Sequence, residues 1–113
     1  MNELELQKCA KIVGDYIEKH RPPLQVRNRL DLGFRIKEQS VEIFEIRPLY
    51  DNPDEIIEGM QAKATFIKKS SNWKVYWMRA DSKWQSYQPA PEVDTLEQFL
   101  ELVSKDEHYC FRG

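Results

Sequence analysis

Between Asn2 and His20 the apolar positions fall three and four apart. Leu6, Cys9, Ala10, Val13, Ile17 and His20 share one side, and Lys8, Lys11, Asp15, Glu18 and Lys19 take the other. That spacing predicts an amphipathic helix. Asn2 is its expected cap, with Glu5 three residues on in a capping-box arrangement. The run Arg-Pro-Pro at 21–23 stops the helix, because proline has no N–H to donate and restricts the residue before it. From Val26 the period becomes two. Leu30, Leu32, Phe34 and Ile36 alternate with Arg27, Arg29, Asp31, Arg35 and Lys37, which predicts a strand over 26–37.

A short turn, EQS, leads to a second strand over 41–47. A register with Lys37 opposite Val41 sets Phe34 against Phe44, Leu32 against Ile46 and Asp31 against Arg47, so aromatic meets aromatic and acid meets base. The segment 48–61 reads as an acidic loop with a helical turn at 54–58. Strands follow over 62–69, 73–79 and 83–87, joined by SSN and ADS. Lys68 opposite Trp73 would place the small Ala64 against Trp77. QPAPEV is a linker. Thr95 and Gln98 then form a second capping box ahead of Leu96, Phe99, Leu100 and Val103. Tyr109 and Phe111 are expected to pack the tail down. The fold class is therefore α+β: a five-stranded antiparallel meander sheet with an N-terminal and a C-terminal helix packed on one face. It forms a single domain over residues 1–113.

Composition narrows the function. Hydrophobic residues make up 41% of the chain and charged residues 32%, which fits a globular protein rather than a disordered one. The net charge of −2 argues against a non-specific nucleic-acid binder but leaves room for a local basic patch. No apolar run approaches the roughly 18 residues that a membrane helix needs. The first residues carry acids and lysines where a signal peptide would be apolar. The expectation is a cytoplasmic protein, not membrane-bound, with Cys9 and Cys110 reduced.

The runs VEIFEIRP, AKATF, WKVYWMRADSKWQSY and PAPEVDTLEQFL, closing on FRG, cover most of the chain. In them the sequence resembles the domain-of-unknown-function 3024 family of small bacterial proteins. The resemblance implies a bacterial, stand-alone, single-domain protein. It implies no activity and supplies no catalytic residues.

The residues themselves offer candidate chemistry. Trp73, Val75, Trp77 and Arg79 alternate with Lys74, Tyr76 and Met78 along the fourth strand. Trp77 and Val75 read as core, while Trp73 and Trp84 lie beside turns and read as partly exposed. Cations on a strand face can neutralise phosphates. The anion-binding set is Arg27, Arg29, Arg35, Lys37, Arg47, Arg79 and Lys83, with Trp84 and Tyr87 as stacking rings. Charge on an edge strand also guards against aggregation, which is the structural alternative. A nucleic acid or another anionic ligand is the expected partner, and a protein partner met through an apolar patch or a sheet edge is the second reading.

An enzyme reading is weaker. Glu45, with Gln61 and Lys63 of QAK and Glu18 on the first helix, loosely follows the metal-dependent nuclease pattern, although Gln61 stands where an acid is usual. Cys9 and His20, eleven residues apart on a helix, would be about 16 Å apart, too far to share a metal. His108 and Cys110 add only two ligands. No glycine-framed serine and no phosphate-cradling loop is present. No catalytic residue, metal or cofactor is assigned.

Overall fold

The computed structural model describes residues 2–111, so Arg112 and Gly113 of the closing FRG lie outside the described residues. Helix α1 (Glu3–His20) begins where the Asn2 side chain accepts a 2.8 Å bond from the Glu5 amide, and it ends at Arg21 before the prolines. A 3₁₀ turn (Leu24–Val26) follows. Strands β1 (Asp31–Lys37), β2 (Ser40–Pro48), β3 (Ile56–Ile67), β4 (Asn72–Met78) and β5 (Trp84–Ser86) form an antiparallel meander. Strand β6 (Glu92–Val93) also pairs with β4. Helix α2 (Leu96–Lys105) starts with a complete capping box between Thr95 and Gln98. No helix of the described residues is long and apolar enough to cross a membrane.

Both helices cover one face of the sheet. Cys9, Val13 and Ile17 of α1 and Leu96, Phe99, Leu100 and Val103 of α2 meet Val41, Ile43, Ala62, Ala64, Trp73 and Val75 of the sheet. Tyr87 and Phe111 close the cluster, so the tail packs down as expected, although Tyr109 stays exposed. The α+β meander read from the sequence is thus present.

Several details differ. The strand expected from Val26 begins at Asp31. After the two prolines, Val26 N–H donates to Pro23 O, and the N–H groups of Arg29 and Leu30 both donate to Val26 O. These local bonds wind VRNRL into turns despite its alternation, so Arg27 and Arg29 are not on the strand.

The β1–β2 register is also one residue away from expectation. Lys37 pairs with Ser40, Phe34 with Ile43 and Asp31 with Ile46. A two-residue turn, with Glu38 at φ 56°, replaces the longer one. A slip of one residue turns every side chain of β2 over. In the expected register Glu42 would lie opposite Ile36 beneath the helices. Cross-strand pairs contribute only about 0.2–1 kcal/mol each. A carboxylate buried without a partner costs far more. The observed register buries Val41 and Ile43 completely and leaves Glu42 on the other face.

Strands β3 and β4 pair two residues from expectation, which preserves the faces but sets Ala62, not Ala64, opposite Trp77. Trp73 is therefore buried, with its ring centroid 5.2 Å from that of Phe66, rather than partly exposed. The helical turn expected at 54–58 is absent; β3 starts at Ile56 and runs as the long partner of β2. The linker before α2 contributes β6, because Val75 N–H donates to Pro91 O and Trp73 pairs with Val93.

Candidate binding surface

The sheet face away from the helices is built in rows. Arg35, Glu42, Lys63, Tyr76 and Ser86 lie across from one another on β1 to β5. Beside them run Lys37, Ser40, Thr65 and Lys74 on one side. On the other side lie Gly33, Phe44 and Met60, and the pair Met78 and Trp84. Four cations, Arg35, Lys37, Lys63 and Lys74, stand here with three acids, Glu42, Glu58 and Glu92, the last opposite Lys74, in a chain whose net charge is −2.

Lys63 is the centre of the face. Its Nζ is 4.9 Å from the centroid of the Tyr76 ring and 4.8 Å from that of Trp84. An ammonium over aromatic faces is held by their quadrupoles. Burial among these groups lowers the Lys63 pKa from the ordinary lysine value, and Glu42 opposes that shift. Both rings remain half-buried, so part of each meets solvent. Toward β1, the Arg35 guanidinium lies 5.0 Å from the Phe44 centroid and donates to both carboxylate oxygens of Glu58, at 2.7 and 2.9 Å. Glu42 lies at 3.9 Å from Arg35.

The cations singled out in the sequence are dispersed by the fold. Arg35 and Lys37 are on this face. Arg27 donates to Pro22 O at 2.9 Å, and Arg29 is exposed in the same turn region. Arg47 pairs with Glu45 near the far end of β2. Arg79 lies 3.7 Å from Asp81 in the turn before β5, where Lys83 is exposed. Trp84 is on the open face, about 19 Å from β1 by four strand spacings. Tyr87 is a correction: it is 2% exposed, its ring 4.7 Å from that of Phe111, so it offers no stacking face. Lys63, Tyr76 and Lys74 were missed as a group. The small-against-large match of Ala62 and Trp77 is the signal that would have aligned them.

The residues of the nuclease pattern separate. Glu45 accepts a 2.8 Å bond from Gln61 Nε2, but Lys63 lies on the opposite face. A β-bulge parts Gln61 from Lys63, since Ile43 pairs with Ala62 and Phe44 with Met60, leaving Gln61 as the extra residue. Glu45 and Lys63 are separated by the alternation of β2, whose Glu42 is the partner of Lys63. Glu18 instead pairs with Arg21 at 3.1 Å. No group of three or more His, Cys, Asp or Glu among the described residues is arranged to hold a metal.

The family model that matches the chain is that of a domain of unknown function, DUF3024, over residues 1–113. Comparison with curated proteins and with solved structures finds no match.

Proposed function

We propose that this chain, which belongs to the DUF3024 family, is a binding module whose open sheet face receives an anionic partner, with single-stranded nucleic acid as the favoured class. The observation that carries this reading is the Lys63 ammonium set between the half-exposed rings of Tyr76 and Trp84 on the face without helices. Single-strand binding combines cations that track a backbone with rings on which bases stack. Lys37 and Lys74 extend the positive charge on either side of Lys63, with Arg35 paired to Glu58 and Lys74 facing Glu92, acids that an incoming phosphate would have to displace. A partly desolvated ammonium gains from an incoming phosphate, which supplies the countercharge that water no longer provides. The same reading keeps the protein in the bacterial cytoplasm, in line with its composition and family resemblance.

Amide and indole NMR titration with mixed-sequence single-stranded and duplex oligonucleotides tests it. Saturable shifts are expected at Trp84, Lys63 and Tyr76, larger with single strands. Trp84→Ala should weaken binding by about 1–3 kcal/mol. With three or four phosphates neutralised, log K should fall with log salt at a slope of roughly −2 to −3. A silent titration at low salt removes the reading.

A protein-interaction role is the second reading, favoured by one feature. Past Ile46 and Ala62, β2 and β3 continue as a two-stranded arm without β1 or β4 beside them. The arm exposes Tyr50 fully, Ile56 to 67% and Ile57 to 42%.

A further inference from the structure

On the helix side of the sheet, at the C-terminal end of α1, a cleft of about 160 Å³ opens between Tyr16, His20, Asp31, Leu32, Glu45 and Gln61. The bulge that divides the nuclease pattern turns Gln61 toward it. Gln61 is 5% exposed, and its Oε1 is the one buried side-chain oxygen or nitrogen among the described residues without a hydrogen-bond partner. The amide orientation follows from its neighbour. Nε2 donates to Glu45 Oε1 at 2.8 Å, and the reversed amide would set oxygen against the carboxylate and leave the nitrogen unpaired. A buried acceptor left without a donor is costly and rare in folded proteins.

The rest of the lining carries further acceptors. Asp31 receives Arg21 at 2.8 and 3.0 Å and the Leu32 amide at 2.7 Å. Glu45 receives Gln61 and Arg47. Asp31 Oδ1 already accepts twice, so the lone pairs left to offer are on Asp31 Oδ2 and on the two oxygens of Glu45. The donors are already engaged. His20 Nδ1 donates to Tyr16 O at 2.9 Å, which leaves Nε2 to accept from Ser104 Oγ at 3.3 Å. One wall is aromatic, the Tyr16 and His20 rings being stacked with centroids 4.1 Å apart. Leu32 supplies an apolar wall.

We infer that this cleft is a binding site for a small primary ammonium with a short apolar body. The ammonium is rich in donors, matches the acceptor lining, and gains from the carboxylates and from the aromatic wall. Arg21 and Arg47 neutralise much of the charge on Asp31 and Glu45, so an anion is disfavoured chiefly because the lining offers it no free donor. A cavity near 150 Å³ accommodates a body about the size of benzene, so the ligand has roughly five to seven heavy atoms. The inference is independent of the open face, which lies across the sheet.

The test is an NMR titration of labelled protein with n-butylammonium, n-butanol and butyrate in parallel. Saturable shifts at the Gln61 side-chain amide and the Leu32 amide are expected with butylammonium. Butanol should bind at least tenfold more weakly, and butyrate not at all. Gln61→Leu and Glu45→Gln should each weaken butylammonium at least tenfold, with the remaining amide spectrum confirming the fold. The three-ligand comparison on the unaltered protein stands even if either variant unfolds. Linear, unsaturating shifts with butylammonium, or equal responses to the three probes, would overturn the site and leave a solvent-filled recess. Nα-acetyl-lysine methylamide separates two sources of the same head group. Affinity equal to butylammonium points to a lysine side chain, and a tenfold loss points to a free amine.

Discussion

At the scale of single residues, the pair Gly33 and Phe44 shows how tightly the open face is built. A Cβ placed on Gly33 would lie 2.9 Å from Phe44 Cε2 and 3.1 Å from Ile46 Cδ1. Phe44 is 5% exposed although it lies outside the helix-covered core, because it rests on this glycine beneath Arg35. Gly33→Val should therefore destabilise the fold by about 1–3 kcal/mol through overpacking. Phe44→Leu in the same chain should recover part of that loss, as measured by denaturant unfolding. An unchanged midpoint for Gly33→Val would mean that the ring moves aside freely. Little of this was readable beforehand. Alternation identified Phe44 as apolar, but its face depends on a register, and the register depends on a turn with one residue fewer than EQS suggested. Tyr87 was missed for a related reason: its burial depends on a tail folding back from the end of the chain.

At the scale of elements, Arg21 ties the exit of α1 to the start of β1. It donates to both oxygens of Asp31 and to Glu18. The bonds from Arg21 to Asp31, with a smaller contribution from the Leu32 amide, hold the Asp31 carboxyl below the usual carboxylate range. A depressed folded-state pKa adds stability that is complete above the unfolded value and fades as pH falls through the folded one. Asp31→Asn should lower the melting temperature at neutral pH. The gap to the unaltered protein should close as the solution is acidified below the ordinary aspartate pKa. A gap that stays constant with pH would show that the clamp contributes nothing through its charge. Helix boundaries were well marked in the sequence, since caps and prolines act locally. Asn2, Thr95 with Gln98, and Pro22 with Pro23 all did what their chemistry dictates. Strand boundaries were less legible. Arg27 and Arg29 alternate with apolar residues as a strand would, yet bonds to Pro23 and Val26 claim that segment first.

At the scale of the whole molecule, the long axis is 45 Å against 30 and 23 Å. Pairing of β2 with β3 beyond the other strands supplies an arm, and its apolar residues have no cover on the sheet body. Sedimentation equilibrium across the micromolar to millimolar range tests whether copies meet there. Under the interaction reading, mass rises with concentration, and Ile56→Lys with Tyr50→Ser returns it to the monomer. A monomer at every concentration removes self-association through the arm. Meander order was legible because turns are short and local. The arm was not, because acids and prolines at 48–55 resemble a plain loop, and nothing nearby indicates that Ile56 and Ile57 already belong to a strand.

The bulge at Gln61 has a consequence for inheritance. Removing that one residue would join Met60 to Ala62 and leave every other partner on β2 unchanged, since Phe44 already faces Met60 and Ile43 already faces Ala62. Most single-residue deletions in a strand turn half its side chains to the wrong side. This one restores an ordinary ladder, and a bulge also bends the strand that carries it. A lineage could gain or lose the extra residue in one step, keep its core, and change only the direction of the arm and the presence of an amide beneath α1.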